Sequence, residues 1–250
     1  MKYGFILRIW MNEGVPLDFI LEFSDHMHLL LTGSSGSGKS YALLYLIGML
    51  IKDGIKDVTF CDYKYSEEFR FLEGYPQYYP GDTAYQGIKA YYEEFQKARK
   101  SGSANGYHVL AVDEYPSMLN YLQMIDKRDK TKMAFELQSM ISEILMLGRG
   151  LGFGVWITTQ RADASLFANG ARDNFQVICA LGRLSREQRQ MLFNGEDVPD
   201  TVYGKGEGLL LADGKELVEI KIPRFMNVEA WKSMVRQEFL SLDKKIDVQI

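Results

Sequence analysis

The strongest constraint on the fold is a glycine-rich loop between an apolar strand and a helix. Residues 33–40 read Gly-Ser-Ser-Gly-Ser-Gly-Lys-Ser and match G-x-x-x-x-G-K-[ST] at every fixed position. The apolar run 27–32 precedes the loop, and the helical segment 41–52 follows it. In that setting backbone N–H groups turn inward to form an anion-binding concavity at a helix N-terminus. The loop therefore predicts a phosphate site, and a flexible loop that matches by chance is the weaker alternative.

This motif gives particular residues particular tasks. Lys39 is predicted to reach the β- and γ-phosphates of a nucleotide, and Ser40 to hold Mg²⁺. The loop and the residue after it form the predicted nucleotide contacts: Gly33, Ser34, Ser35, Gly36, Ser37, Gly38, Lys39, Ser40 and Tyr41. The guanine-reading pattern Asn-Lys-x-Asp does not occur in the sequence. The predicted cofactors are ATP and Mg²⁺.

The rest of the chain alternates short apolar runs with helical segments. The predicted strands are 3–10, 15–21, 27–32, 57–61, 108–112, 153–157 and 175–181, with a terminal hairpin formed by 208–213 and 216–222. The predicted helices are 41–52, 83–100, 117–125, 132–147, 185–193 and 227–240, and 101–106 is a polar linker. This alternation predicts an α/β P-loop fold with a mostly parallel central sheet covered by helices on both faces.

Composition narrows the class of protein. The chain has 250 residues, 46% of them hydrophobic, which is enough for a full core. Its formal net charge of −4 offers no global attraction for nucleic acid, so any such contact needs a local basic patch. Cys61 and Cys179 lie in apolar runs and are predicted to be buried thiols in a reducing cytoplasm. No signal peptide is evident, and the longest apolar run, 41–51, is shorter than the roughly 20 residues of a membrane-spanning helix.

Two carboxylates follow the apolar strand 108–112. Asp113 stands at the carboxyl end of this strand, where ligands bind in open α/β sheets. Asp113 is predicted to hold Mg²⁺ through water, and Glu114 to orient and deprotonate an attacking water. An ordinary acidic turn after a strand is the alternative. A carboxylate beside the metal ligand favours an ATPase with its own base over a switch GTPase.

The segment 148–161, GRGLGFGVWITTQR, ends an apolar strand in hydrogen-bonding side chains. In ATPases with an adjacent catalytic Glu, such a strand lies between the phosphate-loop strand and the carboxylate strand. Gln160 is therefore predicted to meet the γ-phosphate and the attacking water as a sensor. A polar strand end that faces solvent is the alternative.

With these motifs in order, residues 27–211 resemble the FtsK/SpoIIIE motor within the FtsK–HerA superfamily of P-loop ATPases. Asp62-Tyr-Lys64 with Glu67, and then Glu73-Gly-Tyr-Pro76, look like the segment after the second strand of that family. Residues 149–152 leading to 159–161 look like its arginine-glycine stretch and glutamine strand, and 203–210 like its closing glycine motif.

The resemblance implies a RecA-like sheet in a ring, usually of six subunits, with ATP sites between neighbours. It also implies that Arg149 is an arginine finger acting across the interface. Arg172, Arg183 and Arg186 are the other choices, and an Arg at a helix C-terminus is also favourable without any special role. We expect one motor domain over 1–250, with an N-terminal β extension (1–26), a core (27–222) and a C-terminal helix and tail (223–250).

The sequence departs from the family pattern in several places. Ala162 follows Arg161 where the family has proline, and the run 175–181 has no basic residue. We find nothing like the membrane segments, the additional α/β domain or the DNA-reading winged helix of the family. We therefore expect a nearly bare cytoplasmic motor that serves a mobile element, conjugation or a phage process, with a relaxase or another mobile-element protein as a partner.

A basic loop is the predicted contact for DNA. Residues 126–132, DKRDKTK, carry four basic side chains, and Arg172 lies in a second loop at the Asp113 end of the sheet. Lys127, Arg128, Lys130 and Lys132 are predicted to bind phosphates, because a ring repeats them in every subunit. The mixed charge also fits a solvated turn between two helices.

The sequence thus predicts an ATP-dependent ring translocase for double-stranded DNA. Two other classes stay open. One is a motor that moves protein, as the ATPases of type VII secretion do. The other is a nucleotide-gated module that binds DNA or protein and hydrolyses little.

Overall fold

A ten-stranded sheet with helices packed against it forms the computed structural model, which describes residues 1–103 and 105–246. The strands are β1 (Lys2–Ile6), β2 (Asp18–Ile20), β3 (Leu29–Gly33), β4 (Asp57–Asp62), β5 (Tyr78–Pro80), β6 (His108–Asp113), β7 (Phe153–Thr159), β8 (Val177–Leu181), β9 (Glu207–Ala212) and β10 (Val218–Lys221). The helices are α1 (Leu7–Glu13), α2 (Lys39–Lys52), α3 (Ala84–Ser101), α4 (Tyr115–Asp129), α5 (Met133–Leu147), α6 (Arg186–Leu192) and α7 (Val228–Ile246).

The strand order is β2-β1-β10-β9-β8-β3-β7-β6-β4-β5. The six strands from β8 to β5 are parallel, and the four from β9 to β2 are antiparallel to their neighbours. The predicted α/β class with a mostly parallel sheet is confirmed. As expected, β7 lies between the phosphate-loop strand β3 and the carboxylate strand β6.

Helices cover both faces of the sheet because side chains alternate along each strand. Leu29 and Leu31 of β3 join the core under α2 and α7, whereas Leu30 joins the core under α3, α4 and α5. Within residues 1–103 and 105–246, no helix is both long and apolar enough to cross a membrane.

The predicted terminal hairpin is present, and it joins the N-terminal strands to the central sheet. Its strand β9 pairs with β8, and β10 pairs with β1, so the N-terminal segment belongs to the same sheet. The prediction of a strand over 3–10 is wrong beyond Ile6, where α1 begins. Leu7 is buried, and Gly14 ends the helix in a left-handed conformation with its N–H donated to the carbonyl oxygen of Trp10. The apolar alternation of 3–10 did not distinguish these two structures.

Smaller differences concern the ends of elements. Helix α4 begins at Tyr115, directly after Glu114, rather than at Ser117. The short edge strand β5 was not predicted, because it spans three residues and ends at a proline. Residue 104 of the predicted linker and residues 247–250 of the predicted tail lie outside the described residues.

The parallel register brings the functional segments to one edge, the carboxyl edge, where β3, β4, β6 and β7 end. Asp62 is level with Asp113, and Thr32 is level with Thr159. Helix α5 also begins at this edge, since Glu136 near its start bonds to Tyr85 near the start of α3. The opposite edge, the amino edge, holds Arg149 just before β7.

Helix α7 packs closely on the phosphate-loop helix α2. The Trp231 indole donates to the carbonyl oxygen of Leu44 (3.1 Å) and stacks on Tyr45, with ring centroids 5.9 Å apart. A Cβ at Gly48 would lie 2.4 Å from the indole, so this contact requires glycine in α2. This packing carries Val228 and Lys232 to the rim of the phosphate loop.

Candidate nucleotide site

The phosphate loop follows a path that its glycines make possible. Gly33, Gly36 and Gly38 have φ angles of +152°, +80° and +99°. A Cβ at Gly33 would lie 2.4 Å from the carbonyl oxygen of Leu181 on the neighbouring strand. Larger residues would therefore force the loop away from the strand end and open the concavity.

Lys39 lies over this loop and is largely buried. Its ammonium donates to the carbonyl oxygens of Gly33 (2.7 Å) and Ser34 (3.1 Å). Burial lowers the pKa of Lys39, and the charges of Glu114 and Asp113 oppose that shift. A buried ammonium that bonds only to carbonyl oxygens can exchange them for the oxygens of a phosphate.

Two hydroxyl groups, one in the loop and one just before it, are in keeping with a site for a polar ligand. Thr32 Oγ1 and Ser37 Oγ are buried and have no hydrogen-bond partner among the described residues. Buried hydroxyls are normally paired, so these orphaned atoms fit a site completed by a bound group. The residues present thus fit a phosphate and its counter-cation.

The carboxylate pair is joined to β7 by one hydroxyl. Thr158 Oγ1 donates to Asp113 Oδ1 (2.6 Å) and accepts the backbone N–H of Glu114 (2.9 Å). Burial raises the pKa of Asp113 to about 6, against the lowering effect of the Thr158 bond. A bound divalent cation would offset this cost of burial, because its charge favours the carboxylate form. The buried strand β7 thus ends in polar residues because Thr158 holds the carboxylate pair in place.

Glu114 is the less buried member of the pair, with its side chain 13% exposed. Its backbone is in the left-handed region, with φ +54°, which a residue other than glycine adopts at a cost. The carboxylate accepts from Lys64 (3.2 Å) and from the Gln160 side chain (3.4 Å). Three neighbouring strands, β4, β6 and β7, are thus each followed by one of these polar side chains, and the three side chains meet at the same place. The role of Gln160 as a γ-phosphate sensor stays a prediction.

A cleft of about 380 Å³ opens above these groups. Its lining carries four lysines and two glutamates: Lys39, Lys64, Lys205, Lys232, Glu68 and Glu114. It is locally basic although the chain has a net charge of −4. Ser35, Gly36, Gly38, Ser40 and Tyr41 also line this cleft. Sequence analysis did not identify Lys205, which the glycine motif 203–210 contains, or Lys232, which no local pattern marks.

That glycine motif supports the phosphate loop from behind. The Gly206 N–H donates to the carbonyl oxygen of Ser37 (2.8 Å), and the Gly206 carbonyl accepts from Ile222 (2.7 Å). A Cβ at Gly208 would lie 2.0 Å from the carbonyl oxygen of Ala180. The segment therefore acts as a spacer between the phosphate loop and the terminal hairpin.

A second cavity, of about 370 Å³, adjoins the cleft and shares Gly38, Tyr41 and Lys205 with it. Arg224 and Phe225 line its far side. The Phe225 N–H donates to Tyr41 Oη, and the two rings are 4.5 Å apart. Of these residues, sequence analysis identified only Gly38 and Tyr41.

The arginines named from the sequence lie apart from this cleft. Arg149 is exposed at the amino edge, so about seven strand residues, roughly 20 Å, separate it from the carboxyl edge of its own sheet. Arg172 is half-buried and donates to the carbonyl oxygen of Ala162 (3.4 Å). Arg183 and Arg186 follow β8 at the carboxyl edge.

The basic loop lies at the carboxyl edge, in front of α5. Asp126 accepts the N–H groups of Met133 (2.8 Å) and Ala134 (2.9 Å) and so caps that helix. Arg128 forms a bidentate pair with Asp129 (2.7 and 2.9 Å). The acidic residues of the loop therefore have structural tasks. The basic side chains at 127, 128, 130 and 132 are exposed.

Removing the bridging hydroxyl should weaken the fold at the site. Thr158→Val leaves Asp113 and the Glu114 N–H without their partner, so we expect the free energy of unfolding to fall by about 1–3 kcal/mol. Thr158→Ser keeps the hydroxyl and should lose about 1 kcal/mol or less. Urea unfolding of the three proteins measures both values. Equal stability of Thr158→Val and the parent would contradict the bridge.

Comparison with known proteins gives one curated relative. The chain is 25% identical over 224 residues to the Ftsk domain-containing protein YdcQ of Bacillus subtilis, a match that covers 80% of this chain and 45% of YdcQ. The chain thus spans less than half of the length of this relative. No protein-family profile matches the chain.

Solved structures share the fold over almost the whole chain. The pCW3 conjugation coupling protein TcpA, solved with ATPγS, has a TM-score of 0.73 at 20% identity, covering 97% of this chain and 70% of TcpA. The cytoplasmic domain of the type VII secretion ATPase EccC from Thermomonospora curvata has a TM-score of 0.64 at 18% identity, covering 95% and 30%. Motifs, strand order and comparisons agree: the chain resembles an Ftsk domain-containing protein in sequence and has the fold of these P-loop ATPases, with a phosphate loop and a pair of carboxylates at the carboxyl edge.

Proposed function

We propose that this chain is a motor domain that hydrolyses ATP in the lysine-rich cleft and uses the energy to move double-stranded DNA. The observation that carries the proposal is the Asp113–Glu114 pair, held by Thr158 at the edge of a cleft that contains a phosphate loop. Similarity to a conjugation coupling protein supports a role in conjugation or another mobile-element process. A relaxase or another protein of that process is the partner we propose.

Each group in the cleft then has a chemical task. Lys39 binds the β- and γ-phosphates, and Ser40 and Asp113 hold Mg²⁺, which neutralises charge on the transferring phosphoryl group when it is bound. Glu114 takes a proton from the attacking water. Gln160, which already contacts Glu114, orients that water and senses the γ-phosphate.

We also propose that the nucleoside lies in the second cavity. The phosphate loop fixes one end of the nucleotide, and the cavity that shares Gly38, Tyr41 and Lys205 with the cleft is where the other end can extend. Phe225 provides an aromatic face for a base there, beside the Arg224 guanidinium.

Two substitutions should separate binding from chemistry. Lys39→Ala should weaken ATP binding, because it removes the ammonium that faces the phosphates. Glu114→Gln should keep ATP bound and slow hydrolysis by about 100-fold or more, the usual contribution of a general base. Binding is measured by calorimetry and hydrolysis by phosphate release.

Glu93→Gln, on the exposed side of α3, is the charge-matched control and should hydrolyse ATP at the parental rate. If Glu114→Gln also keeps the parental rate, Glu114 is not the base.

We propose that Arg149 completes the site of a neighbouring subunit in a ring, which we expect to be hexameric. Because Arg149 lies at the edge opposite its own phosphate loop, it can reach such a loop only in a head-to-tail contact, the kind that generates rings. Met146 and Leu147 beside it are large apolar side chains, 48% and 44% exposed, which favours an interface there.

Mixed rings test this role. Arg149→Ala and Glu114→Gln subunits should each hydrolyse ATP poorly alone, since an arginine finger contributes about 10³–10⁵-fold to the rate. Mixing them should restore part of the activity, because some interfaces then join an intact Glu114 to an intact Arg149. Subunits labelled with two fluorophores verify mixing. Mixed rings without any recovery would argue against action across the interface.

We propose that the basic loop contacts DNA phosphates. Lys127, Arg128, Lys130 and Lys132 are exposed at the carboxyl edge, at the far end of a 15-residue helix that begins at the catalytic pair. A ring would place several copies of this loop together, which overcomes the mildly acidic charge of each chain. Arg172, tied to the backbone of Ala162, is the secondary candidate.

Replacing these four residues with Ala should weaken duplex binding equally for all sequences. Each lost phosphate contact should reduce the slope of log affinity against log salt by about 0.9. Basal ATP hydrolysis should stay unchanged. The matched control replaces Lys89, Lys97, Lys100 and Lys215, four other exposed lysines, and should keep parental DNA affinity.

The DNA-binding and ATPase measurements also distinguish the alternative functions. Unchanged DNA affinity in the first variant would move the contact to Arg172. Wild-type ATPase that ignores duplex DNA would favour a protein-moving motor, for which the likeness to EccC is the supporting observation. Nucleotide binding without turnover would favour a gated binding module.

A further inference from the structure

Lys64 lies in a turn whose backbone is held by hydrogen bonds to a buried carboxylate. It lies in a turn after β4 in which the buried Asp62 carboxylate accepts the N–H of Ser66 (2.7 Å) and the hydroxyl of Tyr78 (3.1 Å). Tyr65, the next residue, has φ +52°, a strained value for a residue other than glycine. The turn therefore aims the Lys64 stem at the cleft.

Among the residues that the structure describes, the ammonium of Lys64 has one acidic partner, Glu114, at 3.2 Å. Gln160 donates to the same carboxylate oxygen, Oε1. The Lys64 side chain is 43% exposed and that of Glu114 13%, so the pair lies at the rim of the cleft, where it is weak. A weak pair at such a rim can be exchanged for a stronger partner.

A terminal phosphate is such a partner. Lys64 and Lys39 line the same cleft. Burial lowers the pKa of Lys39 and the Lys64 charge adds to that effect, against the carboxylates of Glu114 and Asp113. A γ-phosphate bound to Lys39 would lie in the space that both lysines face, whereas the phosphates of ADP end one group earlier.

We propose that Lys64 is a positioning residue that holds Glu114 when no γ-phosphate is present and transfers to the γ-phosphate when ATP binds, which frees the carboxylate for water. This inference rests on the proposed ATPase function. Hydrolysis then begins only when the triphosphate has displaced Lys64 from Glu114.

Nucleotide binding to four proteins tests this exchange without using catalysis: the wild type, Glu114→Gln, Lys64→Met and the double variant. Calorimetry with Mg²⁺ gives the affinity of each for ATPγS and for ADP. Freeing Lys64 by Glu114→Gln should raise ATPγS affinity more when Lys64 is present than when it is replaced, by about threefold to tenfold. For ADP, the change in affinity caused by Glu114→Gln should be the same within about twofold whether Lys64 is present or replaced.

The alternative is an ion pair that ATP does not break, and it predicts the opposite sign for the coupling between Lys64 and Glu114. If Lys64 stays on Glu114, it screens that charge, and Glu114→Gln then helps ATPγS no more with Lys64 than without it. Lys64→Arg keeps the charge and should preserve the coupling. Lys232→Met, which removes a cleft lysine paired with Glu229 instead, should show no coupling to Glu114.

The outcomes also separate this inference from the function beneath it. Binding of both nucleotides without the coupling overturns the exchange and leaves the ATPase proposal intact. Failure of the wild type to bind either nucleotide overturns both. Circular dichroism of each variant confirms that the compared proteins are folded.

Discussion

Parallel pairing of four strands, β4, β6, β7 and β3, is the constraint on which the site depends. Their register brings Asp62 level with Asp113, and Val112 level with Ile157, so that their carboxyl ends form one edge. Polar side chains there meet without any long loop to position them. Backbone hydrogen bonds of the sheet thus set the distances between these side chains, and the Thr158 hydroxyl holds Asp113 in place.

Support for the phosphate loop comes from segments far away in sequence. The glycine motif bonds to Ser37 through Gly206, and α7 packs on α2 through Trp231. Helix α7 also brings Lys232 to the cleft, and the segment before it brings Phe225 to the neighbouring cavity. Movement of the C-terminal helix would therefore change the shape of the cleft directly, and in the motor that we propose this would couple bound ATP to the outer surface.

Sequence analysis identified what local patterns encode. The spacing of the glycines, Lys39 and Ser40 predicts the phosphate loop, and the place of Asp113 and Glu114 after an apolar strand, in a chain with such a loop, predicts the carboxylate pair. The position of β7 beside β6 was expected from the strand order of related ATPases. Lys232 and Phe225 were not identified, because the helical pattern of 227–240 does not show which cleft α7, or the segment before it, lies against. Lys64 was noticed only within a family segment, since its partner Glu114 lies 50 positions later and the pairing depends on strand order. Helix α1 was missed because seven residues with mixed polarity fit either a strand or a helix.

We propose that this cleft binds ATP. A crystal structure of the Glu114→Gln variant with ATP and Mg²⁺ tests it most directly. We expect the triphosphate on the loop of residues 33–40, the metal at Ser40 and Asp113, and the adenine ring beside Phe225. A nucleotide bound elsewhere, or a loop that stays empty at saturating ATP, would contradict the account.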